Sequence, residues 1–235
     1  MYTFDSRVRY SEISKEGTLA LGSIINYMQD CSTFQSEDLG IGVEYLKEQK
    51  KVWLLNSWQL QIEKLPVLGE RITVGTWAYG FKGMYGYRNF VINDKNGKHL
   101  VKANSIWVFY DLEKGRPAKV TEETLEAYGN EPKLDMEYTG RKVPMPEGGI
   151  QKDPFPVRKY QIDTNGHVNN GQYIRMAQEC IPTLSVITGL RAEYKKSAVF
   201  GDCIYPVVVV KAEEGYTVSL NDKEGKAYAV IAFTV

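Results

Sequence analysis

The chain has 235 residues, 43% of them hydrophobic and 25% charged, and its 29 basic side chains are balanced by 29 acidic ones. That composition fits an ordinary folded protein of one large or two small domains, and the zero net charge argues against nucleic acid as the main partner. Three cysteines make no disulfide framework, no apolar run approaches a membrane span, and MYTFDSRVRY lacks a signal peptide's apolar core, so no membrane partner and a cytoplasmic location are expected.

A short extended segment opens the chain. Leu21, Ile24, Ile25, Met28 and Cys31 then recur at helical spacing, which predicts a helix with one buried stripe, stopped by Gly40 and Gly42. The runs 52–62, 71–79, 85–92 and 100–110 are rich in Val, Ile, Trp, Tyr and Phe and read as strands. Asp94 to Gly97 reads as a hairpin turn with glycine in the left-handed region. The stretch 126–150 carries Pro132, Pro144, Pro146, Gly148 and Gly149 and reads as a linker. A second helical stripe follows at Tyr173, Ile174, Ala177, Cys180, Ile181 and Leu184, with Pro182 expected to kink or interrupt it. Strands are expected at 193–198, 204–212, 216–220 and 227–235, with a second turn from Asp222 to Gly225.

The two halves echo each other. At a constant offset of 149, Val8, Arg9, Ile13, Gly17, Gly22, Ile25, Gln29 and Cys31 match Val157, Arg158, Ile162, Gly166, Gly171, Ile174, Gln178 and Cys180. Lys64, Val67, Gly69 and Glu70 then parallel Lys196, Val199, Gly201 and Asp202. Asn93, Asp94 and Gly97 parallel Asn221, Asp222 and Gly225. Three colinear echoes imply duplication. Extended segment, helix, then antiparallel strands is an α+β plan. A helix wrapped by a curved sheet, twice over, is a tandem hotdog fold forming a pseudo-dimer. The expected division is 1–125, a degenerate first repeat kept for the substrate pocket; 126–150, a linker; and 151–235, a catalytic second repeat.

Two histidines leave few groups for proton transfer near neutral pH. His99 follows a turn and reads as an exposed turn residue. His167 stands in a polar loop with Asp163, Asn165, Asn169 and Asn170, just before the second helix. Capping accounts for Asn169 or Asn170 and leaves Asp163, Asn165 and His167 unassigned. Gly166 and His167 are candidate oxyanion donors through their backbone N–H groups. The first copy has Ser14, Glu16 and Thr18 at the matching positions, which suggests one site per chain. A carboxylate, an imidazole and an oxyanion site suit acyl transfer to water. No metal-ligand spacing and no phosphate-binding loop is present, so no metal and no cofactor is expected. Cys31, Cys180 and Cys203 read as structural.

The pattern Asp163-x-Asn165-x-His167-Val168-Asn169-Asn170-x-x-Tyr173-Ile174 resembles the catalytic signature of the acyl-[acyl-carrier-protein] thioesterases, tandem-hotdog enzymes of plants and bacteria. Gly69-Glu70, Thr76-Trp77, Arg88 and the run from Ser105 to Val108 extend the resemblance over nearly the whole chain, in a bacterial-type form. The resemblance implies hydrolysis of a fatty acyl thioester on acyl carrier protein, with Asp163, Asn165 and His167 at the catalytic positions. One departure stands out. After Glu193, Tyr194, Lys195 and Lys196 the plant enzymes carry Glu-Cys; here Ser197 and Ala198 follow, so no cysteine nucleophile exists there. Ser197 is a candidate for orienting water or substrate. Met28, Phe34 and Trp53 are candidates for lining the acyl pocket, as core packing also is for each. The carrier is acidic, and Arg191, Lys195 and Lys196 are candidate contacts for it. Lys47, Lys50, Lys51, Lys114, Arg116 and Lys119 form other basic clusters. Alternatives are an acyl-CoA thioesterase, a dehydratase using Asp30, Glu37 or Asp38 on the first helix, and a non-catalytic acyl-binding protein. A further homodimer is compatible with the sequence.

Overall fold

The computed structural model describes residues 1–145, 147–182, 186–211 and 215–235. In chain order the first part holds β1 (Tyr2–Arg7), α1 (Leu21–Asp38), α2 (Val43–Glu48), β2 (Lys51–Ile62), β3 (Arg71–Lys82), β4 (Tyr85–Asp94), β5 (His99–Asp111), β6 (Arg116–Pro117) and α3 (Glu122–Tyr128). The rest holds β7 (Ile150–Gln151), β8 (Phe155–Pro156), α4 (Asn170–Glu179), β9 (Gly189–Tyr194), β10 (Cys203–Lys211), β11 (Gly215–Asn221) and β12 (Ala227–Thr234). Two compact units result. One comprises Met1–Asn56 and Leu60–Tyr138; the other comprises Ser57–Gln59 and Thr139–Val235. No helix among the described residues is long and apolar enough to cross a membrane.

In the first unit the strands run β1-β3-β4-β5, with β2 beside β5 and the short β6 pairing with β5. β1 pairs antiparallel with β3, β3 with β4, and β4 with β5. α1 buries Leu21, Ile24, Ile25, Met28 and Cys31, the stripe its spacing predicts, and the Cys31 thiol donates to the Val74 carbonyl of β3 at 3.5 Å. The central strand β4 is buried along most of its length rather than alternately, because both its faces are covered. Alternation sends neighbours to opposite faces. Arg88 donates to Gln35 of α1 and, at 3.1 Å, to Thr76, and it lies 4.9 Å from the Tyr128 ring. The next residue, Asn89, accepts from the Leu134 N–H at 3.0 Å and from the Tyr138 hydroxyl at 2.9 Å. The chain after α3 therefore straps the face of this sheet opposite α1, with Trp77 donating to the Pro132 carbonyl at 2.8 Å.

The second unit repeats the plan with fewer parts. Its strands run β9-β12-β11-β10-β7, with β8 also on β10. Here too the approach to β7 is fastened to the sheet. Arg191 donates to the Gly140 and Lys142 carbonyls at 2.7 Å each, and Glu193 accepts from the Val143 N–H at 3.0 Å. Gly149 lies so close to β10 that an added Cβ would meet Val207 at 2.3 Å.

The duplication recurs in matching backbone bonds. Leu19 N–H donates to the Pro66 carbonyl, as Val168 N–H does to Ala198; Val8 N–H donates to Glu70, as Val157 N–H does to Asp202. Each copy has a 3-10 turn, at Tyr10–Glu12 and Lys159–Gln161, and then a glycine at φ 77° or 78°.

The structure departs from the sequence reading in several places. α4 is interrupted as Pro182 predicts, and it stops at Glu179, ahead of Cys180 and Ile181 of the expected stripe; Leu184 lies outside the described residues. The strand expected at 193–198 is β9, at Gly189–Tyr194. Lys195 and Lys196 both turn their N–H groups to the single Tyr228 carbonyl, which ends the ladder there. α2 and α3 were not anticipated, although Thr121 ahead of two glutamates is an N-cap signal, and its hydroxyl accepts the Thr124 N–H. The strand expected to reach Ala212 is described to Lys211. His99 is half-buried at the start of β5, with Nδ1 2.6 Å from Asn93 Oδ1, rather than exposed in the turn.

Candidate active site

The loop before α4 is a tight turn of known chemistry. Asp163 Oδ1 accepts from the Asn165 N–H at 2.8 Å and from the His167 N–H at 3.3 Å. The Gly166 N–H donates to the Asp163 carbonyl, and the Asp163 N–H to the His167 carbonyl. The same four bonds build the hairpin turns at Asp94 to Lys98 and Asp222 to Lys226, with Gly97 at φ 81° and Gly225 at φ 78°. Asp163 therefore has a structural task that capping alone did not reveal. It is the residue whose short carboxylate closes an Asx turn.

What sets this turn apart is what it adjoins. It runs directly into α4, where Asn169 caps the helix by accepting the Gly171 N–H at 2.9 Å. The positive end of the helix dipole thus lies beside the turn. Asp163 and His167 are half-buried; Asn165 is exposed. Among the described residues the imidazole of His167, the amide of Asn165 and the second oxygen of Asp163 have no hydrogen-bond partner. These are the groups left available for chemistry.

One expectation is corrected. The N–H groups of Gly166 and His167 both point to Asp163, so neither is turned outward as an oxyanion donor. Gly166 supports the loop through its positive φ instead. Among the described residues the N–H of Asn170, the first of α4, has no partner and is the available donor at this end of the helix.

Ser197 is exposed and follows β9 at a segment fixed to the loop on both sides of Ala198. The Ala198 N–H donates to the Tyr173 hydroxyl at 2.7 Å, and its carbonyl accepts from Val168 at 2.9 Å. Ala198 itself is fully buried. The sequence marks Tyr173 by its motif and its helical stripe and Tyr194 by its strand, and assigns neither hydroxyl a partner. Tyr173 is buried with its hydroxyl engaged, and the Tyr194 hydroxyl donates to the Asn170 carbonyl at 3.0 Å. Burial raises the pKa of both phenols. A tyrosine in place of phenylalanine on an apolar helical stripe was the available signal, because a buried hydroxyl needs a partner.

The remaining candidates scatter. Met28 is fully buried on α1; Phe34, on the same helix, is exposed and packs edge-on against Phe4 at 5.4 Å. Trp53 lies 4.8 Å from the Phe109 ring and close over Gly86. In the second unit a cavity of about 570 Å³ is lined by Met145, Lys195, Val207, Ser219 and Val230 among others, and none of the loop residues borders it. Of the basic trio, Arg191 is bound to the carbonyls of Gly140 and Lys142, Lys196 pairs with Asp222 and covers the Tyr228 ring at 4.4 Å, and Lys195 lies 3.7 Å from Glu193.

Comparison with known proteins places this arrangement. The family model for the acyl-ACP thioesterase N-terminal domain matches residues 1–128, and that for the C-terminal domain matches 147–231. A chloroplastic acyl-[acyl-carrier-protein] hydrolase of Cuphea viscosissima is 25% identical over 207 residues, covering 80% of this chain and 50% of that protein. The chain spans about half the length of the curated relatives it matches first. Among solved structures, an acyl-ACP thioesterase from Bacteroides thetaiotaomicron superimposes with a TM-score of 0.90 at 22% identity, covering 99% of this chain and 96% of that one. A 12:0-ACP thioesterase from Umbellularia californica gives 0.84 at 18% identity, covering 99% and 96%. These likenesses establish the tandem hotdog fold.

Proposed function

Because the chain belongs to the acyl-ACP thioesterase family, we propose that it hydrolyses the thioester of a fatty acyl chain borne on an acyl carrier protein, releasing the free acid. The observation that carries this reading is the difference between two loops of one backbone. The first copy closes its turn with Ser14, Glu16 and Thr18. The second places Asp163, Asn165 and His167 there, at the start of α4.

His167 takes a proton from water as the water oxygen attacks the thioester carbonyl. Asp163, held by one oxygen, directs the other toward the imidazole or the water, and its charge stabilises the imidazolium that forms. Asn165 orients the water. The oxyanion meets the Asn170 N–H and the dipole of α4. Collapse of the intermediate breaks the carbon–sulfur bond, and the departing thiolate takes the proton from His167. Ser197 is assigned a hydrogen bond to water or substrate. Met28, Phe34 and Trp53 are assigned to acyl recognition, which a chain-length profile of Trp53→Ala tests. The scheme uses no metal or cofactor.

The test is turnover of acyl carrier proteins loaded with chains of different length, with the matching CoA thioesters alongside. Wild type should release fatty acid, and His167→Ala should lose about 10²–10⁴-fold in kcat. Full activity in that variant removes His167 from the mechanism. Absence of hydrolysis in wild type across the whole set removes the function.

A further inference from the structure

The two copies differ in charge at a place where their backbones agree. The residue before each 3-10 turn is an arginine, Arg9 or Arg158, and the third residue of the turn reaches back to that arginine's N–H. Glu12 Oε2 accepts from Arg9 at 2.8 Å; Gln161 Oε1 accepts from Arg158 at 2.7 Å. An amide and a carboxylate do this backbone task equally. They differ in what they leave behind. Glu12 also pairs with the Arg9 guanidinium at 2.7 Å and neutralises it. Gln161 has no charge to offer, and among the described residues Arg158 and Lys159 have no acidic partner.

Apolar surface adjoins these two cations. Tyr160 is 77% exposed and Phe200 56%, with Val199 beside it. The Lys159 ammonium lies 5.4 Å from the Phe200 ring centroid, so the turn and the bend at 199–200 are neighbours. Val199 directly follows Ala198, which binds both Val168 and Tyr173. Turn, bend and candidate site therefore form one continuous surface of the second unit. The first copy also exposes its matching bend, with Leu68 at 48%, so apolar exposure is common to both. At the residue before the 3-10 turn, the guanidinium without an acidic partner among the described residues is that of Arg158, in the copy that carries Asp163 and His167.

We infer that Arg158, Lys159, Tyr160, Val199 and Phe200 form the docking surface for the acidic carrier protein. The inference rests on the carrier-borne substrate proposed above. Carboxylates of the carrier meet Arg158 and Lys159, which steer the encounter and fix its orientation. Tyr160 and Phe200 supply the aromatic anchors that concentrate binding energy at the centre of an interface. The partner's thioester is then delivered to the adjoining loop. Arg191, Lys195 and Lys196, considered from sequence for this role, are already engaged within the second unit.

The test measures affinity apart from turnover. The probe is an acyl carrier protein whose acyl group is attached through an amide, so that it is not hydrolysed. The double variant Arg158→Glu/Lys159→Glu should bind it at least tenfold more weakly than wild type, and Phe200→Ser several-fold more weakly. Lys195→Glu should change affinity less than twofold. The ratio of kcat/KM on the carrier substrate to that on a carrier-free acyl thioester should fall at least tenfold in the double variant. Affinity within twofold of wild type in that variant overturns the docking surface, while carrier-substrate turnover by wild type still upholds the hydrolase reading. A wild type that binds the probe through these residues yet hydrolyses nothing upholds the surface and removes the hydrolase. A dimer that Phe200→Ser dissociates, with carrier affinity unchanged, makes the patch a contact between copies and overturns the proposal.

Discussion

One oxygen of Asp163 holds the loop and the other has no hydrogen bond among the described residues, so its two roles can be separated by substitution. Asp163→Asn keeps a carbonyl oxygen for both N–H groups and removes the charge. It should fold with nearly the wild-type melting temperature and lose about 10²-fold or more in kcat. Asp163→Ala loses both bonds and should be less stable than Asp163→Asn by about 1 kcal/mol in chemical denaturation. Equal stabilities for the two would show that the turn does not depend on that oxygen. The cluster of Asp163, Asn165 and His167 was legible because so few residues in the chain titrate near neutrality. The turn use of Asp163 was not inferred, although Asp94 with Gly97 and Asp222 with Gly225 show the same spacing. The sharing of one carboxylate oxygen by two N–H groups is a matter of geometry, and composition does not display it.

Among the elements, the strap across the first sheet is held by Trp77 at one end and by the buried Asn89 further on. Asn89 is fully buried, accepts from Leu134 and Tyr138, and donates to the Ala103 carbonyl at 3.1 Å. Asn89→Ala leaves these groups without their partner and should cost about 2–3 kcal/mol. Limited proteolysis should then cut first between residues 131 and 138; an unchanged digestion pattern would mean that the strap is held by other contacts. From sequence this stretch read as a Pro- and Gly-rich linker. Proline and glycine mark the lack of regular structure but say nothing about docking. The long elements were legible because α1 and β2 to β5 bury whole stripes and runs. α2 and α3 are short, and burial leaves little periodicity in six or seven residues. β9 was misplaced because Gly189 and Arg191 look like loop residues, whereas the ladder pairs them with Thr234 and Ala232.

For the molecule as a whole, a net charge of zero conceals how unevenly charge is partnered. Asp111 is almost fully buried and accepts from the Lys51 ammonium at 2.7 Å, which holds its carboxyl near about 2, below the ordinary value. A carboxyl depressed in the folded state stabilises fully above about pH 4 and loses that contribution as pH falls toward 2. Lys51→Met should therefore flatten the loss of melting temperature between pH 4 and pH 2; an unchanged acid profile would assign that loss to other carboxylates. The duplication carries a different consequence. Because the loops at Ser14–Thr18 and Asp163–His167 share two backbone bonds and their glycine angle, and differ in the two N–H bonds to the Asp163 carboxylate, their backbones are interchangeable parts. Ser14→Asp, Glu16→Asn and Thr18→His together would install the second loop's side chains on the first loop's backbone without altering chain length. Such a gene, once doubled, can lose chemistry from one copy by three substitutions and keep its architecture throughout, leaving the silent copy free to drift toward other work.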